Sequence, residues 1–125
     1  MPEKIGSYRD LIAWQRAFAV GVKVYRLTEA FPTGERFGLT VQIRRSAVSI
    51  PSNIAEGYGR GATLDYVRFL KIARGSVYEL DTQLLFAVEM KYFEEAAYVE
   101  VKGSLDETER VLAGLIRSLE RASGT

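Results

Sequence analysis

The strongest constraint on this chain is its punctuation. Glycine, proline and polar clusters fall at three places: Phe31–Gly34, Gly57–Gly61 and Lys91–Glu95. The long runs between them carry apolar residues at three- and four-residue spacing, the period that lines one side of an α-helix. Four helices are expected, over about Tyr8–Ala30, Gly34–Tyr58, Thr63–Met90 and Glu94–Ala122. Short connections make successive helices antiparallel neighbours. The fold class is therefore all-α, an up-down-up-down four-helix bundle. The chain has 125 residues and no linker, repeat or low-complexity tract, so it reads as one domain over residues 1–125.

Each helix has its own signature. The first has two apolar stripes, Leu11, Trp14, Phe18, Val22, Tyr25 and Ala13, Ala17, Val20, Val24, Leu27. They leave only a narrow basic ridge of Arg9, Arg16 and Lys23 with Arg26 beside it. A helix so apolar is expected to bury more than one side, against its own bundle and against a neighbouring subunit. The alternative is a loosely amphipathic helix in a monomer. Ser7 or Asp10 can cap its start, and Pro32 stops it.

The second helix has the stripe Phe37, Ile43, Ala47, Ile50, Ile54, Tyr58. Pro51 in its middle removes one hydrogen bond, so a kink is expected near Val48–Pro51. Ser49 and Ser52 are placed to satisfy the freed carbonyls. The third helix, with Thr63 as N-cap and Asp65 in its first turn, buries Tyr66, Leu70, Ala73, Val77, Leu80, Leu84 and Val88. Its Gly75 is expected where helices approach closely. The fourth is cleanly two-sided, with Ala97, Val101, Leu105, Thr108, Leu112, Leu115 and Leu119 inward.

The composition excludes much chemistry. There is no cysteine and no histidine. Disulfides, thiolate or imidazole metal sites, and histidine-based triads are out of reach. No catalytic residue, cofactor, metal or small-molecule substrate is expected, and the chain reads as a non-enzyme. The enzymatic rival is a magnesium site built from Glu56, Glu79 and Asp81. The run Gly57-Tyr58-Gly59-Arg60-Gly61 follows a helix and lacks the Lys-Ser/Thr ending of a P-loop, so it reads as a helix end and turn. Met1–Asp10 has no apolar core of the signal-peptide kind, and no window reaches the roughly 18 apolar residues of a bilayer span. A cytoplasmic protein with no membrane partner is expected.

Charge is distributed unevenly. The net charge is +1, yet residues 1–75 hold 12 Lys/Arg against 6 Asp/Glu, and residues 76–125 hold 5 against 10. One reading is a phosphate-binding surface for RNA or DNA. Its first candidates are Arg44, Arg45, Arg60, Arg68, Lys71 and Arg74. Its second group is the ridge Arg9, Arg16, Lys23 and Arg26. Tyr58, Tyr66 and Phe69 beside these arginines can stack on bases or belong to the core. The other reading is a protein-interaction scaffold without nucleic-acid binding, whose basic faces meet acidic helix four or the next subunit. Asn53, Glu56 and Glu79 read as polar groups that fix register between helices or subunits.

Several runs together carry a family resemblance: Tyr8-Arg9-Asp10-Leu11, Phe31-Pro32, Glu35-Arg36-Phe37-Gly38-Leu39, Gln42 through Arg60, and Phe69 through Ser76 with Glu79-Leu80 and Thr82-Gln83-Leu84. The sequence resembles the bacterial 23S rRNA intervening-sequence proteins over roughly residues 7–120. The resemblance implies a four-helix bundle that assembles as a homo-oligomer, with a homopentamer favoured, and an association with rRNA or a nucleoprotein partner. It carries no catalytic residue over. The family is distantly similar to the accessory protein of diversity-generating retroelements, a basic pentamer. This chain departs from that protein in its net charge of +1.

Overall fold

The structure, a computed structural model, describes residues 5–124. The first four residues of the stretch read for a leader therefore lie outside the described residues. Four helices follow one another: α1 (Ile12–Thr28), α2 (Leu39–Arg60), α3 (Thr63–Glu89) and α4 (Glu95–Ser123). Short 3-10 turns at Tyr8–Asp10 and Thr33–Glu35 precede α1 and α2. Helix α2 packs on α1 and α3, and α4 packs on α3 and α1. The bundle is thus square, with α1 diagonal to α3.

The core is aliphatic. Ala13, Ala17, Val20 and Val24 of α1 meet Ile43, Ile50 and Ile54 of α2, Leu70, Leu80 and Leu84 of α3, and Leu105, Leu112 and Ile116 of α4. Burying each large aliphatic side chain contributes about 1.5–3 kcal/mol. Helix α1 gives the centre of the core its small residues; of its large ones, Trp14 and Leu27 pack half-buried against that core, whereas Phe18 and Tyr25 are exposed.

The helix ends show where sequence reading slipped. Helix α1 begins at Ile12 because Ser7–Asp10 forms its own capped turn. The Ser7 hydroxyl accepts from the Arg9 amide, and the Asp10 carboxylate accepts from the Gly6 and Ser7 amides. Leu11 then runs extended into α1. Helix α2 starts at Leu39, five residues later than the pattern suggests, and its Leu39 amide donates to Glu35 Oε1 at 3.1 Å. Phe37, assigned to the core stripe, sits in the preceding turn at 85% exposure. The Arg36 guanidinium lies 5.0 Å from its ring. At α3 the N-cap position is Ala62, so Thr63 is the first helical residue and makes no cap. Asp65 occupies the first turn as expected.

Two further expectations change. Helix α2 continues through Pro51, in keeping with the expectation of a kink and not a break. Proline has no amide proton, so the Ala47 carbonyl loses its ordinary helical donor. Ser49 does not fill that gap. Its hydroxyl lies 2.9 Å from that of Ser76 and accepts from Asn53 Nδ2, which also donates to the Ser49 carbonyl. The close approach assigned to Gly75 occurs at Gly57. A Cβ there would stand 2.7 Å from Phe69 Cβ, whereas Gly75 faces open space.

At one end of the bundle the α1–α2 and α3–α4 connections lock together. Phe31 packs on Tyr92 and Phe93 at ring distances of 5.6 and 5.7 Å. The Tyr92 hydroxyl donates to Glu35 at 2.6 Å. That bond, with the Leu39 amide, holds the Glu35 carboxyl below the usual carboxylate range.

Candidate interaction surface

Two helical faces supply the one well-formed groove on this bundle's α1–α2 side. Trp14, Phe18, Val22 and Tyr25 of α1 form one wall, and Val48, Pro51 and Ala55 of α2 form the other. The groove encloses about 580 Å³. Trp14 and Phe18 stack with centroids 5.0 Å apart, and Tyr8 meets Trp14 edge-on at 5.3 Å. Phe18 is 51% exposed and Tyr25 43%. Gly21 and Ala47 form the floor. A Cβ at Gly21 would meet the Ala47 carbonyl oxygen at 3.8 Å, an ordinary contact. That is the carbonyl deprived of a donor by Pro51. The groove is therefore largely apolar along its walls, with Ser52, Arg26 and Glu29 among its polar lining.

Arg26 and Glu29 stand at the groove's edge. A shallower cleft continues past Tyr25 and Val48 to Val41, Arg44 and Arg45. Arg44 is committed to the bundle. Its Nε donates to Thr28 Oγ1 at 2.8 Å, its Nη2 donates to the Tyr25 carbonyl, and its guanidinium lies 4.6 Å from the Tyr25 ring. It closes the C-terminal end of α1, where a cation suits the helix dipole.

The other cations singled out from sequence divide into two groups. Arg16 pairs with Glu107 at 3.1 Å, Lys23 with Glu100 at 3.5 Å, and Lys71 with Glu120 at 3.1 Å. All three tie α1 or α3 to α4. Arg60 pairs with Glu56 and Arg68 with Asp65 along their own helices. Arg26, Arg45 and Arg74 make no ion pair among the described residues, and Arg9 rests over Tyr8 at 5.9 Å. The two patches expected from sequence thus do not form free cationic surfaces. Arg16 and Lys23 of α1 and Lys71 of α3 are each neutralised by an acidic residue of α4.

The aromatic residues beside the arginines also serve the fold. Phe69 is buried, with the guanidinium carbons of Arg60 and Arg68 each 4.9 Å from its ring centroid. Tyr58 and Tyr66 meet edge-on at 6.1 Å. The Tyr66 hydroxyl is buried without a hydrogen-bond partner. Desolvation, helped by the neighbouring Tyr58, pushes its ionisation up to about 12.

The inward polar residues expected from sequence lie apart. Asn53 joins the Ser49–Ser76 chain between α2 and α3. Glu79 accepts from Ser46 at 3.0 Å across the same interface. Glu79 thus bridges α3 and α2, whereas Asn53 bonds Ser49 of its own helix. Glu56 is exposed, not buried, and holds Arg60. Asp81 faces α4, where it accepts from Tyr98 at 2.7 Å and pairs with Lys102 at 3.0 Å. Burial first, and then the bond to Asp81, push the Tyr98 ionisation up to about 12. Among the described residues no three carboxylates are grouped to hold a metal. No described helix is long and apolar enough to cross a membrane.

Comparison with known proteins gives a family and a fold. The family model described as 23S rRNA-intervening sequence protein matches residues 9–114. A crystal structure of a protein of unknown function from the S23 ribosomal protein family of Bacteroides thetaiotaomicron superposes with a TM-score of 0.79 at 21% identity. It covers 87% of this chain and 98% of that one. No curated protein matches the chain.

Proposed function

The chain belongs to the 23S rRNA-intervening sequence protein family, and we propose that it is a non-catalytic interaction module whose α1–α2 side joins copies of the chain to one another. One observation carries this reading: the bundle completes its core without Phe18 and Tyr25, and Trp14 packs on it only half-buried. All three line an open apolar groove. Aromatic residues held in a preformed groove are the usual anchors of protein contacts. The copy number expected from the family resemblance is five. Native mass spectrometry tests the reading. Multiples of 14.0 kDa support it, and a chain that stays single at all concentrations contradicts it.

A second reading, contact with RNA, is favoured by Arg26 and Arg45. They stand without an ion pair among the described residues on the same side, and the exposed Tyr25 ring lines the groove with one and the cleft with the other. Binding through them would weaken with salt, with each lost phosphate contact lowering the log–log slope by about 0.7–0.9. Filter binding of RNA to Arg26→Gln/Arg45→Gln against the unsubstituted chain tests it. An unchanged salt slope removes RNA from this side and leaves the scaffold reading.

A further inference from the structure

The groove on the α1–α2 side has two unlike ends. One end, framed by Tyr8, Trp14, Phe18, Pro51 and Ala55, has no charged side chain in its lining. The other end, past Tyr25 and Val48, is set among arginines. Arg26 lines the groove, Arg44 and Arg45 line the cleft that continues it, and Arg36 lines the next hollow with Arg44. Arg44 bonds the Thr28 hydroxyl and the Tyr25 carbonyl and lies over the Tyr25 ring. All three are neutral, so they do not cancel its charge. Arg26 and Arg45 have no ion pair among the described residues. Glu29 is the one carboxylate lining these three hollows among the described residues, and it stands between arginines.

The dimensions narrow what fits. Trp14 and Arg26 both lie on α1, and their separation in sequence is about 18 Å at the helical rise. One long acyl chain reaches about 15 Å, half the thickness of a bilayer's hydrocarbon core. The groove's volume of about 580 Å³ lies within the range of about 300–1,000 Å³ usual for small-ligand sites. An apolar tail needs no hydrogen-bond partner along walls of Trp14, Phe18, Val22 and Pro51. An anionic head at the far end gains charge-assisted bonds from guanidinium groups. A cationic head would meet the same arginines with like charge.

We infer that the α1–α2 groove is a binding site for a single-chain anionic amphiphile, a long-chain carboxylate, with its tail along Trp14, Phe18 and Val22 and its head towards Arg26 and Arg45. One copy of the chain supplies the whole groove, so the site goes beyond the reading above and does not rest on it. Where copies meet on this side, amphiphile and neighbour compete for the groove. Each then weakens the binding of the other by the same factor.

Trp14 is the only tryptophan of the chain, so its fluorescence reports on the groove. Titration with dodecanoate below its micellar concentration should move Trp14 emission to shorter wavelength and saturate at one ligand per chain. Decanoate and octanoate should bind more weakly, by about fourfold for each methylene removed. Dodecyltrimethylammonium should bind about tenfold more weakly than dodecanoate, the loss of one charged hydrogen bond. Arg26→Gln/Arg45→Gln should erase that preference for the anion. Phe18→Ala should weaken both ligands, and Leu85→Ala, at an exposed position on α3 outside the groove, should change neither. Far-UV circular dichroism checks that every variant and complex keeps its helicity. Unchanged Trp14 emission with dodecanoate, or equal binding of the carboxylate and the ammonium, would overturn the site. So would a response to anionic phosphatidylglycerol vesicles but not to dodecanoate, which would make this side a membrane contact. Native mass spectrometry of the same samples keeps the two readings apart. Saturable binding by a chain that stays single supports the site and removes assembly at the groove. An assembled protein that binds no dodecanoate at any dilution overturns the site and leaves assembly standing.

Discussion

Helix α1 sets a charged side against an apolar one. Its charged ridge, Arg16 and Lys23, suggests a ligand surface in sequence, yet it is fastened to Glu107 and Glu100 of α4. Its largest apolar residues, Trp14, Phe18 and Tyr25, form one of two stripes that the sequence leaves equivalent, and they line an open groove. The core side of α1 is the stripe of small residues, Ala13, Ala17, Val20 and Val24. Small side chains let neighbouring helices approach closely, and the bundle leaves Phe18 and Tyr25 outside. Polarity alone therefore does not assign the faces of a helix as apolar as this one. Side-chain size does.

The largest test of that contrast is a pair of truncations. Ile50→Ala, in a position with no exposure, should cost about 2–5 kcal/mol by opening a cavity. Phe18→Ala should change the stability of the single chain by less than about 1 kcal/mol while weakening self-association. Urea unfolding at low protein concentration measures both. Equal losses would place Phe18 in the core after all.

Next is the close packing that leaves the groove as the bundle's open side. Gly57→Ala would place a Cβ 2.7 Å from Phe69 Cβ and 3.2 Å from the Tyr66 carbonyl oxygen. Overpacking of this kind costs about 1–3 kcal/mol. Gly75→Ala meets nothing within 4 Å and should stabilise α3 by up to about 1 kcal/mol through helix propensity. Thermal unfolding of the two variants should move in opposite directions.

A smaller effect belongs to Tyr66. Its buried hydroxyl lacks a partner, so Tyr66→Phe should be neutral or stabilise by up to about 1 kcal/mol. The pH dependence has a definite sign. Burial raises the folded ionisation to about 12, above the ordinary tyrosine value of about 10. The contribution from the neutral phenol is complete below the ordinary value and is lost as pH rises through the folded one. Tyr66→Phe should therefore flatten the alkaline loss of stability above pH of about 10. Spectrophotometric titration of the tyrosines checks the same shift.

The smallest effect tests the charged side of α1. Arg16→Gln and Lys23→Gln each remove an exposed ion pair, so each should cost at most about 1 kcal/mol. The cost should shrink in high salt. Neither should alter RNA binding. A drop in RNA affinity would return the ridge to the ligand surface.

Much of this was legible in the sequence. The 3.6-residue period and three breaks gave the number, order and type of helices, and Gly61 ends α2 in the left-handed conformation, with φ 84°, as the glycine turn suggested. The helix starts were less legible, because side chains outside the period set them. Asp10 and Glu35 bond amides three or four residues away, and Thr63 loses the cap position to Ala62 by one residue. The site was half legible. An extra buried side of α1 was expected, and the groove lies there. Its second wall was not foreseen, because Val48, Pro51 and Ala55 of α2 join the α1 aromatics only in the packed bundle. Local sequence separates the partners of Arg16, Lys23 and Lys71 by tens of residues, so it could raise internal pairing only as one alternative.

The most direct test of the central claim is the mass of the assembled protein with and without the groove. Native mass spectrometry of the unsubstituted chain should show multiples of 14.0 kDa, and Phe18→Glu with unchanged helicity should show the single chain alone. The same mass for both proteins, whether single or assembled, would contradict the assignment of α1's outward aromatic side as the surface where copies meet.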